Sequence, residues 1–136
     1  MFIRKTFRSD IDSFSPHKDD IAEAKAYGIE PSFPEDLSDC VTLSHSGFPI
    51  AIGGNCGDQV WFVTSRYVEF LTRRQRRDFF KCIVEYRDKM LASYPVLWNY
   101  VWIGNKSHIR FLNAIGAVFE DTFTADGQFQ LFTIRR

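Results

Sequence analysis

Apolar and polar positions alternate along the chain with two different periods, and the stretch Val96–Phe123, VLWNYVWIGNKSHIRFLNAIGAVFEDTF, holds both of them. From Val96 to Ile103 every position except Asn99 is apolar or aromatic, the pattern of a strand covered on both faces. Asn105 then stands where a side chain can accept from the first free helix N–H groups. Ile109, Leu112 and Ile115 share one helical face, and Gly116 suits the left-handed position that ends a helix. This spacing predicts a central strand followed by a helix over about Lys106–Ile115. Ala117–Phe123 and Phe129–Ile134 flank Asp126-Gly127, a strong hairpin dipeptide, so the chain is expected to finish in a β-hairpin.

The upstream pattern is of the same mixed kind. Phe2–Phe7 alternates weakly as a first strand, and Arg8–Phe14 fits either a loop or a short helix. Ser15-Pro16 offers a cap and a first-position proline, Asp19, Asp20 and Glu23 follow, and Gly28 stops the run, which predicts a helix over about Pro16–Tyr27. Pro31, Ser32, Pro34, Glu35 and Asp36 form a turn-rich connection inside the domain. Cys40–Ser44 and Phe48–Gly53 read as a hairpin about His45-Ser46-Gly47, with a second turn over Gly53–Asp58 and a third strand at Val60–Thr64. Beyond Thr72, apolar residues from Phe79 to Tyr94 recur every three or four positions until Pro95 forbids continuation. That predicts the longest helix, Arg73–Ser93.

Composition narrows the class. The 136 residues fit a single domain spanning 1–136, and 45% hydrophobic content with 16% aromatics excludes a disordered chain. Seventeen basic and seventeen acidic residues cancel, so no long-range field draws the whole molecule to nucleic acid or anionic lipid. No apolar run approaches the roughly 20 residues that cross a bilayer, and MFIRKTFRSD has no signal-like apolar region, which points to a protein that stays in the cytoplasm where it is made. Cys40, Cys56 and Cys82 lack ligand spacing and are expected to be reduced, structural thiols.

The order β, α, β, β, β, α, β, α, β, β is a mixed α/β arrangement, a mainly antiparallel sheet flanked by helices. With NKSHIRFLNAIGAVF near the end, it resembles the GNAT (acyl-CoA N-acyltransferase) fold, in whose last motif an Asn opens a helix and a Gly closes it eleven residues later, here Asn105 and Gly116. A further resemblance is carried by EAKAYGIEPSFPEDLSDCVTLS, GFPIAIGGNCGDQVWFVTS, EYRDKML, LWNYVWIGNKSHIRFLNAIGAVF and DGQFQLFTI. These segments resemble the small internal virion and head-assembly proteins of teseptimaviruses, the T-seven-like short-tailed phages. That resemblance implies a late protein acting in assembly of the head's internal core. Its partners would be other phage internal virion or head proteins. It would be made in the host cytoplasm and located in the assembling capsid or virion interior, with no membrane partner.

The GNAT resemblance also implies an acetyl-CoA site, in which backbone N–H groups of a [Q/R]xxGx[G/A] loop after the fourth strand hold the pyrophosphate. The corresponding segment here, Thr64–Leu71, contains no glycine, and reading RRQRRDF instead puts Arg77 and Phe79 where small residues are needed. The Tyr general acid of many members falls at Leu112, which transfers no proton. Glu69, Asp58 and His45 are nominal candidates for a base. The expectation is therefore a GNAT-like fold with no catalytic residues, no bound cofactor and no metal, used as an assembly module. The alternative is an active acetyl-CoA-dependent N-acyltransferase modifying a host or phage protein, with Arg66 and Asn105 near the cofactor.

Remaining features favour structural or partner roles. His108 is read as a first-turn residue facing solvent or a neighbouring loop rather than a base, and His17, His45 and His108 lack metal-ligand spacing. Arg73, Arg74, Arg76 and Arg77, with Lys81, make a basic helix start suited to solvent or an acidic partner protein, with nucleic acid as the lesser option. Trp98, Tyr100 and Trp102 alternate onto one strand face and form a second candidate partner surface. In GGNCGDQ the glycines are read as a tight turn, and Cys56 has no basic neighbour in sequence to activate it.

Overall fold

The computed structural model describes residues 1–29 and 32–136; Pro31 of the expected connection lies outside the described residues. The strands are β1 (Phe2–Lys5), β2 (Cys40–His45), β3 (Phe48–Cys56), β4 (Gln59–Thr64), β5 (Val96–Trp102), β6 (Val118–Phe123) and β7 (Phe129–Arg135). The helices are α1 (Arg8–Ser13), α2 (Lys18–Tyr27), α3 (Arg73–Ser93) and α4 (Lys106–Ala114), with a short 3-10 helix at Arg66–Phe70. The strands form one seven-stranded sheet in the order β1-β2-β3-β4-β5-β7-β6. Every neighbouring pair is antiparallel except β4 and β5, which α3 joins as a parallel crossover.

Helices α3 and α4 cover one face of this sheet. Leu91 of α3, Leu97 and Val101 of β5, Leu112 of α4, and Phe132 and Ile134 of β7 are buried together there, the period of two in the strands meeting the period of 3.6 in the helices. A second cluster, Leu43, Ile50, Ala51 and Phe79, fills the space beneath the first turns of α3. Helix α2 lies on the opposite face, where Tyr27 meets the Phe129 ring edge-on and Phe33 meets Trp61. The alternation of β5 turns Trp98, Tyr100 and Trp102 to that second face, and all three are half-buried.

Caps set the helix limits. Thr72 Oγ1 accepts from the Gln75 amide while Gln75 Oε1 accepts from the Thr72 amide, and Pro95 follows the last turn. Helix α2 starts later than the Ser15-Pro16 signal suggests. His17, not Ser15, caps it, its Nδ1 accepting from the Asp19 amide at 3.1 Å, because Ser15–His17 is already engaged with the end of β4. The GGNCGD turn is also shorter than expected. Gly53 and Gly54 are paired residues of β3, and only Gly57 takes a positive φ. Glycine is required at 53 and 54 by close approach instead: a Cβ would lie 2.7 Å from the Trp61 carbonyl oxygen at Gly53 and 2.7 Å from the Asp39 carbonyl oxygen at Gly54.

Candidate functional site

The parallel strands β4 and β5 form a fork. They pair at Gln59 and Trp98, and the ladder goes no further. Backbone groups on the inner edges of both prongs then need other partners. Two carboxylates of α2, three residues apart and so on one helical face, supply them. Asp20 Oδ2 accepts from the Thr64 amide at 2.9 Å and from the Thr64 hydroxyl at 3.0 Å, and Glu23 Oε1 accepts from the Trp102 amide at 2.8 Å. Lower in the fork, Asn99 Nδ2 donates to the Val60 carbonyl at 2.7 Å. Polar side chains therefore replace the missing ladder.

Helix α4 closes the site from the other face. Asn105, fully buried, accepts from the His108 amide as the helix cap and donates to Asp20 Oδ1 at 3.2 Å. The His108 side chain is only 12% exposed; its Nδ1 lies 3.7 Å from Asp20 Oδ1 and its ring packs on Phe62 with centroids 4.5 Å apart. His108 thus points inward, against the expectation of a residue facing solvent or a neighbouring loop, because α4 crosses the fork at its first turn. Asp20, Glu23 and His108 bring donor atoms within 4.8 Å of one another, a set from which a cation could be held. Both carboxylates, however, already accept backbone N–H groups of the fork, and no buried side-chain polar atom among the described residues is left without a partner. The trio is accounted for as the polar lining of the fork.

The two carboxylates titrate apart. Burial works to raise the Asp20 pKa, but the His108 ring 3.7 Å away and hydrogen bonds from the Thr64 amide and Asn105 outweigh it and hold Asp20 below the usual Asp range. Burial raises Glu23 above the usual Glu range, with the Trp102 amide only partly offsetting it. A raised folded pKa means that Glu23 costs stability once the unfolded chain has ionised, a cost absent at low pH and present as pH rises through the folded value. Glu23→Gln, which keeps an acceptor for Trp102, is therefore expected to melt higher than the natural chain at neutral pH. The advantage should vanish in acid below the ordinary Glu range, as thermal melts across pH would reveal; an advantage independent of pH contradicts the assignment.

The segment after β4 has its backbone donors engaged. The Arg66 amide donates to the Ser15 carbonyl at 2.8 Å, the Tyr67 amide to Ser65 Oγ at 3.2 Å, and the Val68 amide to the Ser65 carbonyl at 3.1 Å. Ser15–His17 runs antiparallel to this end of β4, with the His17 amide on the Thr64 carbonyl at 2.8 Å. At the start of α3 the Thr72 cap takes the Gln75 amide. A pyrophosphate needs such N–H groups free, and those of Arg66, Tyr67, Val68 and Gln75 are taken.

Among the residues singled out from sequence, Asn105 belongs to the fork, whereas Arg66 is exposed with its guanidinium over the Tyr67 ring. Leu112 is core at 2% exposure. Glu69 accepts from His17 Nε2 at 2.8 Å, Asp58 accepts from Trp98 Nε1 at 2.9 Å, and His45 meets Gln75, so none of the three enters the fork. Arg73, Arg74, Arg76 and Arg77 are all exposed on the first turns of α3. Cys40, Cys56 and Cys82 are unpaired thiols. Sequence reading missed Asp20 and Glu23 as site residues: they looked like acids at a helix start, and only their spacing of three hinted at a shared target.

A forked mixed sheet with a helix crossing each face defines an acetyltransferase-type fold. Solved structures share it: an acetyltransferase from Agrobacterium tumefaciens str. C58 (TM-score 0.67, 16% identity, covering 98% of this chain and 90% of that one) and a GNAT-family acetyltransferase from Bacillus anthracis (TM-score 0.63, 13% identity, 98% and 93%). At such identities the likeness is one of fold alone. The chain itself belongs to the family described as "Bacteriophage T7, probable scaffold protein Gp13", which matches residues 39–124. It is 64% identical over 136 residues to the probable scaffold protein gp13 of Escherichia phage T7, covering 100% of this chain and 98% of that relative.

Proposed function

We propose that the protein is a phage morphogenesis component that acts in the assembling capsid, on the internal core of the head, through contacts with other phage head or internal virion proteins. The observation that carries this reading is the 64% identity, over the full chain, to a probable scaffold protein of Escherichia phage T7. The acetyltransferase-type fold serves as a rigid frame for surfaces, and fold by itself implies no turnover.

The reading extends to the absence of acyl transfer. Support comes from the engaged amides of Arg66, Tyr67 and Val68, from Leu112 in the core, and from the engagement of Asp20 and Glu23 with the backbone of the fork. Calorimetric titration with acetyl-CoA and with CoA at low salt is expected to give no heat and no thermal shift up to about millimolar ligand, the weak end of specific affinity. Saturable micromolar binding, or acetylation of a lysate protein above a no-protein control, would overturn that part of the proposal and direct attention to Arg66 and Asn105.

A further inference from the structure

Behind the polar side chains that bridge β4 and β5, between α3 and the sheet, lies a cavity of about 140 Å³. Its apolar walls are Ile83 and Met90 of α3, Leu97 and Val101 of β5, Leu112 of α4 and Ile134 of β7. Two features of the chain leave this space unfilled. The sheet beneath it is split, since β4 and β5 pair only at Gln59 and Trp98. Gly53, which lines the cavity from β3, has no side chain to offer, because the Trp61 carbonyl oxygen stands 2.7 Å from where a Cβ would lie.

Nothing in this space waits for water. Polar side chains reach it only toward the fork and are already engaged there: Glu23 accepts from the Trp102 amide, and Asn99 donates to the Val60 carbonyl and accepts from the Tyr100 amide. No buried side-chain polar atom among the described residues lacks a partner. A buried water needs about two to four polar partners, whereas an apolar cavity of roughly 150 Å³ stays dry and takes up benzene or xenon.

We infer that the protein binds a small, neutral, apolar molecule in this cavity, a single aromatic ring or branched alkyl group of about six to eight non-hydrogen atoms. The ligand leaves water and supplies contacts that the lining side chains lack while the cavity is empty, and both effects favour binding. Charge is selected against, because an anion would lose its hydration beside the Glu23 carboxylate. The inference rests neither on acyl transfer nor on the assembly role.

Benzene or toluene, at about ten times its Kd, is expected to raise the melting temperature of the purified chain by about 3–6 °C and to give saturable heat on titration, while benzoate does neither. In the natural chain the methyl resonances of Leu97, Val101 and Leu112 should move first on adding benzene. Val101→Phe, which places a ring in the cavity, should abolish the thermal shift, and Met90→Ala, which enlarges it, should shift the preference from benzene toward the two-ring indene about tenfold. Absence of any shift or heat with both hydrocarbons, an equal response to benzoate, or a response that persists in folded Val101→Phe would overturn the inference. Should Val101→Phe not fold, methyl shifts centred away from the cavity, or an unchanged ratio of indene to benzene affinity in Met90→Ala, would overturn it as well.

Discussion

Asp20→Ala is expected to melt about 10–20 °C below the natural chain, a loss of about 3–5 kcal/mol, because it strips the acceptor from several buried donors at once. Those donors are the Thr64 amide and hydroxyl and the Asn105 side-chain amide, and the first of them is a backbone group with no ladder to return to. For a domain whose total stability is about 5–15 kcal/mol this is a large share. Asp20→Asn should cost less, since an amide oxygen still accepts but carries no charge. The pH dependence separates this role from simple packing. A lowered folded pKa gives stability that is present above the ordinary Asp range and lost as pH falls through the folded value. The gap between the natural chain and the Asn variant should therefore narrow in acid. Melts of Asp20→Ala within about 2 °C of the natural chain would rule out the carboxylate as the clasp of the fork.

Leu112→Ala is expected to cost about 2–5 kcal/mol, read as a shift of the urea midpoint with little change in slope. Leu112 is 2% exposed among Leu91, Leu97, Val101, Ile115 and Phe132, where the strands and both covering helices meet. The position has a second interest, since the acyltransferase resemblance implies a proton-donating Tyr there. Leu112→Tyr is expected to destabilise by about 1–3 kcal/mol, because its hydroxyl would be buried among apolar side chains, and to restore no acetyl transfer. A fully stable Leu112→Ala would mean that α4 is loosely seated and that the fork is held by its polar bonds alone.

The fork also explains how an acetyltransferase-type frame persists in an assembly protein. Its gap has to be filled for the sheet to be stable. Here Asp20, Glu23 and Asn99 fill it from within the chain, and Ser15–His17 extends the edge of β4.

Much of the architecture was legible in the residues alone. Helix α3 runs over Arg73–Ser93 as its period and Pro95 require, and α4 begins at Lys106 behind Asn105 because capping is a local act between residues three apart. The terminal hairpin turns with Gly127 at φ 74°, as the Asp-Gly dipeptide demands. The mixed sheet followed from element order, and the acetyltransferase-type fold from the resemblance carried by that order together with the Asn105–Gly116 segment. Tertiary structure decided the rest. Asn105 reaches Asp20 across 85 positions and Trp102 reaches Glu23 across 79, distances over which no periodicity carries information. His108 turned inward because α4 packs over the open end of the fork, and the 3-10 helix follows a backbone stretch at the end of β4 that is held by Ser15–His17. Local sequence determines which segments are helix or strand; which polar groups meet is set by the ladder that β4 and β5 leave unfinished.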